Sequence, residues 1–99
     1  MIIVSGTATV SPGALDKARG AMERVIAATR REEGCLYYSY GVDVMTPDTI
    51  VVLEYWESWA ALEAHFTRPH MAEWVKTLGE IGVLSRDIKA CEAGAVRQL

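Results

Sequence analysis

The stretch Thr49–His70, TIVVLEYWESWAALEAHFTRPH, decides how the chain folds. Its first half, Ile50 to Trp56, is almost entirely β-branched, aromatic or aliphatic, which suits a pleated strand packed on both faces. Glu54 alone interrupts it. A carboxylate there must be hydrogen-bonded, paired or aimed into a wet cavity, because burying it bare costs several kcal/mol or forces it to take up a proton. Ser58 then caps a short helix carrying Trp59, Leu62 and Phe66, with Glu63 and His65 among them. Arg68 and Pro69 break that helix. A second runs from about His70 to Gly79, with Met71, Trp74, Val75 and Leu78 as its apolar stripe.

Working outward, Ile2 to Val10 alternates as a strand with one dry side. Ser11, Pro12 and Gly13 offer an N-cap oxygen, a pre-set φ and a change of direction. The helix they start has Leu15, Ala18, Met22, Val25 and Thr29 as its apolar stripe, and closes at Glu33 and Gly34. Cys35 to Met45 reads as a strand with Leu36, Tyr38, Tyr40, Val42 and Val44 on one face, joined through Thr46, Pro47 and Asp48 to the strand already described. Leu84 to Glu92 alternates as a last strand, and Ala93 to Leu99 is a weakly patterned tail.

The order is strand, helix, strand, strand, broken helix, strand. It predicts one α+β domain over residues 1–99, a ferredoxin-like split βαβ: a four-stranded antiparallel sheet with helices on one face. In a monomer the other face would be polar, yet the third strand is apolar on both sides. Two sheets are therefore expected to pack face to face in a homodimer.

Composition narrows the function. Of 99 residues 51% are hydrophobic, a large share for one small domain and in keeping with an apolar face kept for a second subunit. Ten basic against thirteen acidic residues give a net charge of -3 with no basic stripe, so nucleic acid is not an expected partner. The N-terminal MIIVSGTATV lacks the features of a signal peptide, and no apolar run approaches the ~18 residues of a membrane span, which predicts a cytoplasmic protein without a membrane partner. Cys35 and Cys91 lie in predicted strands without CxxC spacing, and are expected to be buried free thiols.

The string EEGCLYYSYGVDVMTPDTIVVLEYWESWAALEAHFTRPH resembles the antibiotic biosynthesis monooxygenase family. The shared pattern is a Gly-Cys-Leu strand start at Gly34–Leu36, a Glu-x-Trp strand end at Glu54–Trp56, an Ala-Leu-x-x-His helix at Ala61–His65, and a Pro-His closure at Pro69 and His70. The resemblance implies a dimeric α/β barrel. It also implies oxidation of a quinol or polyketide-like phenol by molecular oxygen, without metal or flavin, in a pocket between sheet and helices. On that reading His65 handles the phenolic proton and Trp56 walls the ring or donates its indole hydrogen. Tyr38, Glu54, His70 and Lys76 are expected to bind substrate. The chain departs from the polyketide-oxidising members at Val52, Leu62 and Lys76, where they carry asparagine, tyrosine and arginine. The haem-degrading members resemble it less still.

Each of these residues has a plainer reading beside the functional one. His65 can be a satisfied histidine, and His70 a residue of a helix's first turn. Glu54 can pair with Arg86 or Lys76 as a structural ion pair. Trp56 can wall the core, Trp59 and Trp74 can anchor the core or the dimer, and the tyrosines can be cross-strand packing. His65 and His70 stand five apart across a proline with no carboxylate motif around them, so no metal site is expected. Two further functions stay open: a dimeric module that binds a small aromatic molecule without chemistry, and an isomerase or cyclase that needs no oxygen.

Overall fold

The structure is a computed structural model that describes residues 1–99. Its elements are β1 (Ile2–Val10), α1 (Ala14–Thr29), β2 (Cys35–Val42), β3 (Thr49–Trp56), α2 (Trp59–His65), α3 (Pro69–Ile81) and β4 (Val83–Glu92). The strands form one antiparallel sheet in the order β2-β3-β1-β4. This is the ferredoxin-like α+β arrangement that the order of elements predicts, with the sheet left open in the single chain.

Alternation sets what the sheet buries. Ile2, Val4, Ala8 and Val10 of β1 and Ile50, Val52 and Trp56 of β3 all face the helices and are buried. Two apolar clusters result. One joins Val10, Ile50 and Val52 to Ala14, Ala18 and Val25 of α1 and Trp74 of α3. The other joins Ile2, Val4, Tyr38 and Trp56 to Leu62 of α2. The opposite face holds Tyr37, Val51, Leu53 and Tyr55, and the rings of Tyr37 and Tyr55 stack across β2 and β3 at 5.3 Å. Tyr37 and Val51 stand exposed there.

Several boundaries differ from expectation. Ser11 does not cap α1; Gly13 does, with φ 76°, and its N–H donates to Asp48 Oδ1 at 3.2 Å. α1 ends at Thr29, and β2 stops at Val42, leaving Val44 and Met45 exposed in the hairpin loop. A register shift between Cys35 and Tyr37 takes Leu36 out of the dry face, so it is exposed. Cys35 is half-buried and Cys91 exposed, contrary to the expected burial of both; neither is in a disulfide. Trp74 joins the core, whereas Trp59 is exposed on α2. Gly34, at φ 84°, passes so close beneath α2 that a Cβ would lie 2.6 Å from that of Ala61. A side chain there would force the helix carrying His65 away from the sheet.

Candidate active site

A cavity of about 400 Å³ lies between the sheet and α2 and α3. Its walls are apolar: Val4 and Val52 on the sheet, Leu62 and Phe66 near the end of α2, and Met71, Trp74 and Leu78 on α3. A few polar groups converge on it, namely Tyr38, Tyr40, Glu54, His65 and Arg86. Apolar walls with a small set of polar groups are the usual character of a small-molecule site.

His65 reaches the cavity because α2 turns its Leu62 and His65 face inward, both nearly fully buried, while Trp59 and Phe66 remain exposed. The imidazole packs against the rings of Trp56 at 4.8 Å and Tyr38 at 5.4 Å. Its Nδ1 lies 2.6 Å from Glu32 Oε2. Glu32 sits in the turn between α1 and β2, and its side chain is 5% exposed. The same oxygen accepts from His70 Nε2 at 2.8 Å, and Arg68 Nε stands 3.4 Å from Oε1. Burial alone would raise the Glu32 pKa, but the hydrogen bonds and charges of His65 and His70 hold it below its ordinary value. Glu32 is thus a carboxylate and Nδ1 of His65 its donor. Burial in turn lowers the His65 pKa despite Glu32, which keeps the ring neutral. In that tautomer Nε2 carries the lone pair, and this buried atom has no hydrogen-bond partner in the protein.

Glu54 faces the cavity from β3 and is 7% exposed. It pairs with neither Arg86 nor Lys76; its Oε1 accepts from the Trp56 indole at 2.9 Å. Burial pushes its pKa up to about 7 against the lowering effect of that hydrogen bond. The Tyr38 and Tyr40 hydroxyls lie 2.5 Å apart. Burial raises Tyr38 far above the phenol range and Tyr40 to about 12, so both stay protonated at neutral pH. The site therefore holds a neutral imidazole, His65, and a carboxyl that exchanges its proton near neutrality, Glu54, beside two neutral hydroxyls.

Of the residues singled out from sequence, the fold brings His65, Glu54 and Tyr38 to the cavity wall. Trp56 is fully buried behind it, supporting Glu54 and His65 rather than facing a ligand. His70 spends its Nε2 on Glu32, and Lys76 is exposed on α3; neither lines the cavity. Glu32 went unread in the sequence. Its one signal is an acid beside the C-terminus of α1, where the helix dipole disfavours negative charge.

The expectation that no carboxylate accompanies the two histidines is also corrected, because the fold gathers Glu32, His65 and His70 within 4.8 Å. The contacts of 2.6 and 2.8 Å are hydrogen-bond distances. Ligands bound to a tetrahedral zinc at ~2 Å stand roughly 3.3 Å apart. The triad as it stands is a hydrogen-bonded unit.

Residues 1–77 match the sequence profile of the antibiotic biosynthesis monooxygenase family. The chain is 35% identical over 79 residues to the probable quinol monooxygenase YgiN of Escherichia coli, which covers 72% of this chain and 75% of YgiN. It superimposes with a TM-score of 0.90 on a crystal structure from Deinococcus radiodurans described as a candidate antibiotic biosynthesis monooxygenase. That pair is 28% identical, over 100% of this chain and 98% of the other. Rv0793 of Mycobacterium tuberculosis, at 22% identity, shares the fold with a TM-score of 0.86 over 98% of each chain. The chain thus belongs to the antibiotic biosynthesis monooxygenase family.

Proposed function

We propose that this protein is a monooxygenase that oxidises a quinol-type phenol with molecular oxygen in the cavity between sheet and helices. The observation that carries the reading is the buried, unpartnered Nε2 of His65, set as a base by Glu32 at Nδ1. The similarity to a probable quinol monooxygenase supports the substrate class. In this mechanism His65 Nε2 takes the proton of a phenolic hydroxyl. The phenolate passes one electron to oxygen, leaving a phenoxyl radical and superoxide, and the imidazolium and the Tyr38 and Tyr40 hydroxyls stabilise the developing negative charge. The radical and superoxide combine to form a C–O bond, and the imidazolium returns its proton to give a ring hydroperoxide. Cleavage of the O–O bond releases water and leaves a hydroxylated quinone, with the quinol supplying all the electrons and Glu54 placed to relay the second proton. Neither metal nor flavin enters the scheme.

The same reading includes a homodimer, supported by the uncovered apolar sheet face, and a cytoplasmic setting, supported by two free thiols. No helix is long and apolar enough to cross a membrane.

Oxygen uptake with a panel of quinols and naphthols, each corrected for autoxidation, tests the function. Saturable uptake that falls ~10²-fold or more in His65→Ala is expected. No uptake across the panel, with thermal stabilisation by the same compounds, would instead indicate a binding module. Turnover without oxygen would indicate an isomerase.

A further inference from the structure

The cavity has two chemically different ends, and the register of the sheet separates them. Tyr38, Glu54, Val4 and Ala90 form one row across the strands, at the His65 end. Ile50, Ala8 and Arg86 form another. Val4 and Ala8 are four residues apart on β1, so the rows lie about 13 Å apart along the sheet. Between them the walls are apolar, with Val52, Ile88, Met71 and Leu78.

Arg86 lines the far end and has no partner. It differs in this from every other arginine between β1 and β4. Arg19 and Arg24 pair with Glu23 and Glu73, and Arg68 with Glu32. Arg30 and Arg31 donate to the carbonyls of Tyr38 and Ala27. Lys89, the other cation of β4, stands opposite Ser5 on the far face of the sheet and is paired with Asp87. The charge of Arg86 reaches inward far enough to act on the Tyr40 hydroxyl, whose proton affinity it lowers against the effect of burial. A free guanidinium at the rim of an apolar cavity, opposite a buried carboxyl and imidazole, is placed to donate to an anionic group of a ligand held there.

We propose that the ligand of this cavity is an aromatic hydroxy acid, with its hydroxyl at His65, its rings between the sheet and α3, and its carboxylate on the guanidinium of Arg86. The proposal rests on the reading of the cavity as a phenol site and adds the second recognition point. It also accounts for orientation. A carboxylate turned toward Glu54 would meet a group that ionises near neutrality, whereas at Arg86 it meets a cation with two donors to offer. A cavity of about 400 Å³ has room for a bicyclic compound of this kind.

Calorimetric titration under strict exclusion of oxygen with two phenolic probes, 6-hydroxy-2-naphthoate and 2-naphthol, on the parent and on Arg86→Gln tests it. The expected result is ~10-fold or tighter binding of the naphthoate by the parent, the usual effect of a charge-assisted hydrogen bond. Arg86→Gln should lose that preference and keep its affinity for 2-naphthol. Arg86 is exposed, so the variant should melt with the parent. Equal binding of both probes by the parent, or a preference that survives in Arg86→Gln, overturns the anionic ligand and leaves the phenol site standing. Failure of both probes to bind the folded parent removes the phenol site, and this proposal with it.

Discussion

Glu32 Oε2 lies 2.6 Å from His65 Nδ1, although the two residues are 33 apart in sequence. The contact fixes the tautomer of a buried imidazole and leaves its other nitrogen without a hydrogen-bond partner. Neither group would be set this way alone, because an unpaired Glu32 in that turn would be a bare buried carboxylate.

Glu32→Gln keeps the size of the side chain and removes its charge. Activity should fall by ~10-fold or more, since the amide no longer favours a single His65 tautomer or stabilises its imidazolium. Glu32 raises the His65 pKa, so its loss should move the acid limb of the kcat/KM profile to lower pH. A pH-rate profile unchanged from the parent would show that the proton passes elsewhere, with Glu54 the next candidate.

Glu54 supplies a prediction about stability. Its carboxyl is raised from 4.5 to about 7 in the folded protein, so the folded state holds this proton more tightly than the unfolded chain. The stability it contributes is fully present below pH 4.5 and is lost as pH rises through about 7. Keeping it ionised above that range costs on the order of 3 kcal/mol. Glu54→Gln can still accept from the Trp56 indole and should raise Tm by several degrees at pH 8, with little change at pH 5. Equal shifts at the two pH values would show that Glu54 is not the titrating group.

His70 gives a contrast with His65. It touches Glu32 and does not line the cavity, so His70→Ala should leave KM for a phenolic substrate close to that of the parent. The cost should fall on stability, ~1–2 kcal/mol in urea unfolding, as the buried carboxylate loses one of its donors. A large rise in KM would place His70 against the substrate after all.

Leu53 sits on the sheet face away from the helices, between Ser5 of β1 and Ser39 of β2. If that face joins two copies, Leu53→Glu should give a species sedimenting at the chain mass of 10.9 kDa, while the parent sediments at twice that value. A parent that sediments as a monomer over a wide concentration range would refute the dimer.

The sequence determined the elements and their order. Period-two alternation in Ile2–Val10, the near-continuous apolar run of Ile50–Trp56, the stripes of α1 and α3, and the breaks at Pro47, Arg68–Pro69 and Gly82 are local signals that the backbone obeys wherever it lies. Those signals also marked His65 and Glu54 as out of place in apolar surroundings. What no local pattern could decide was what each would meet. Glu54 found the indole two residues along its own strand instead of a distant cation. His65 found a glutamate from a turn that, read along the chain, is only the charged end of a helix. That meeting depends on the antiparallel crossing of β2 and β3 and on the close pass of Gly34 beneath α2. Hydrogen-bond partners are set by distances of about 3 Å. Only the assembled sheet and its helices fix positions that closely between residues so far apart in the chain.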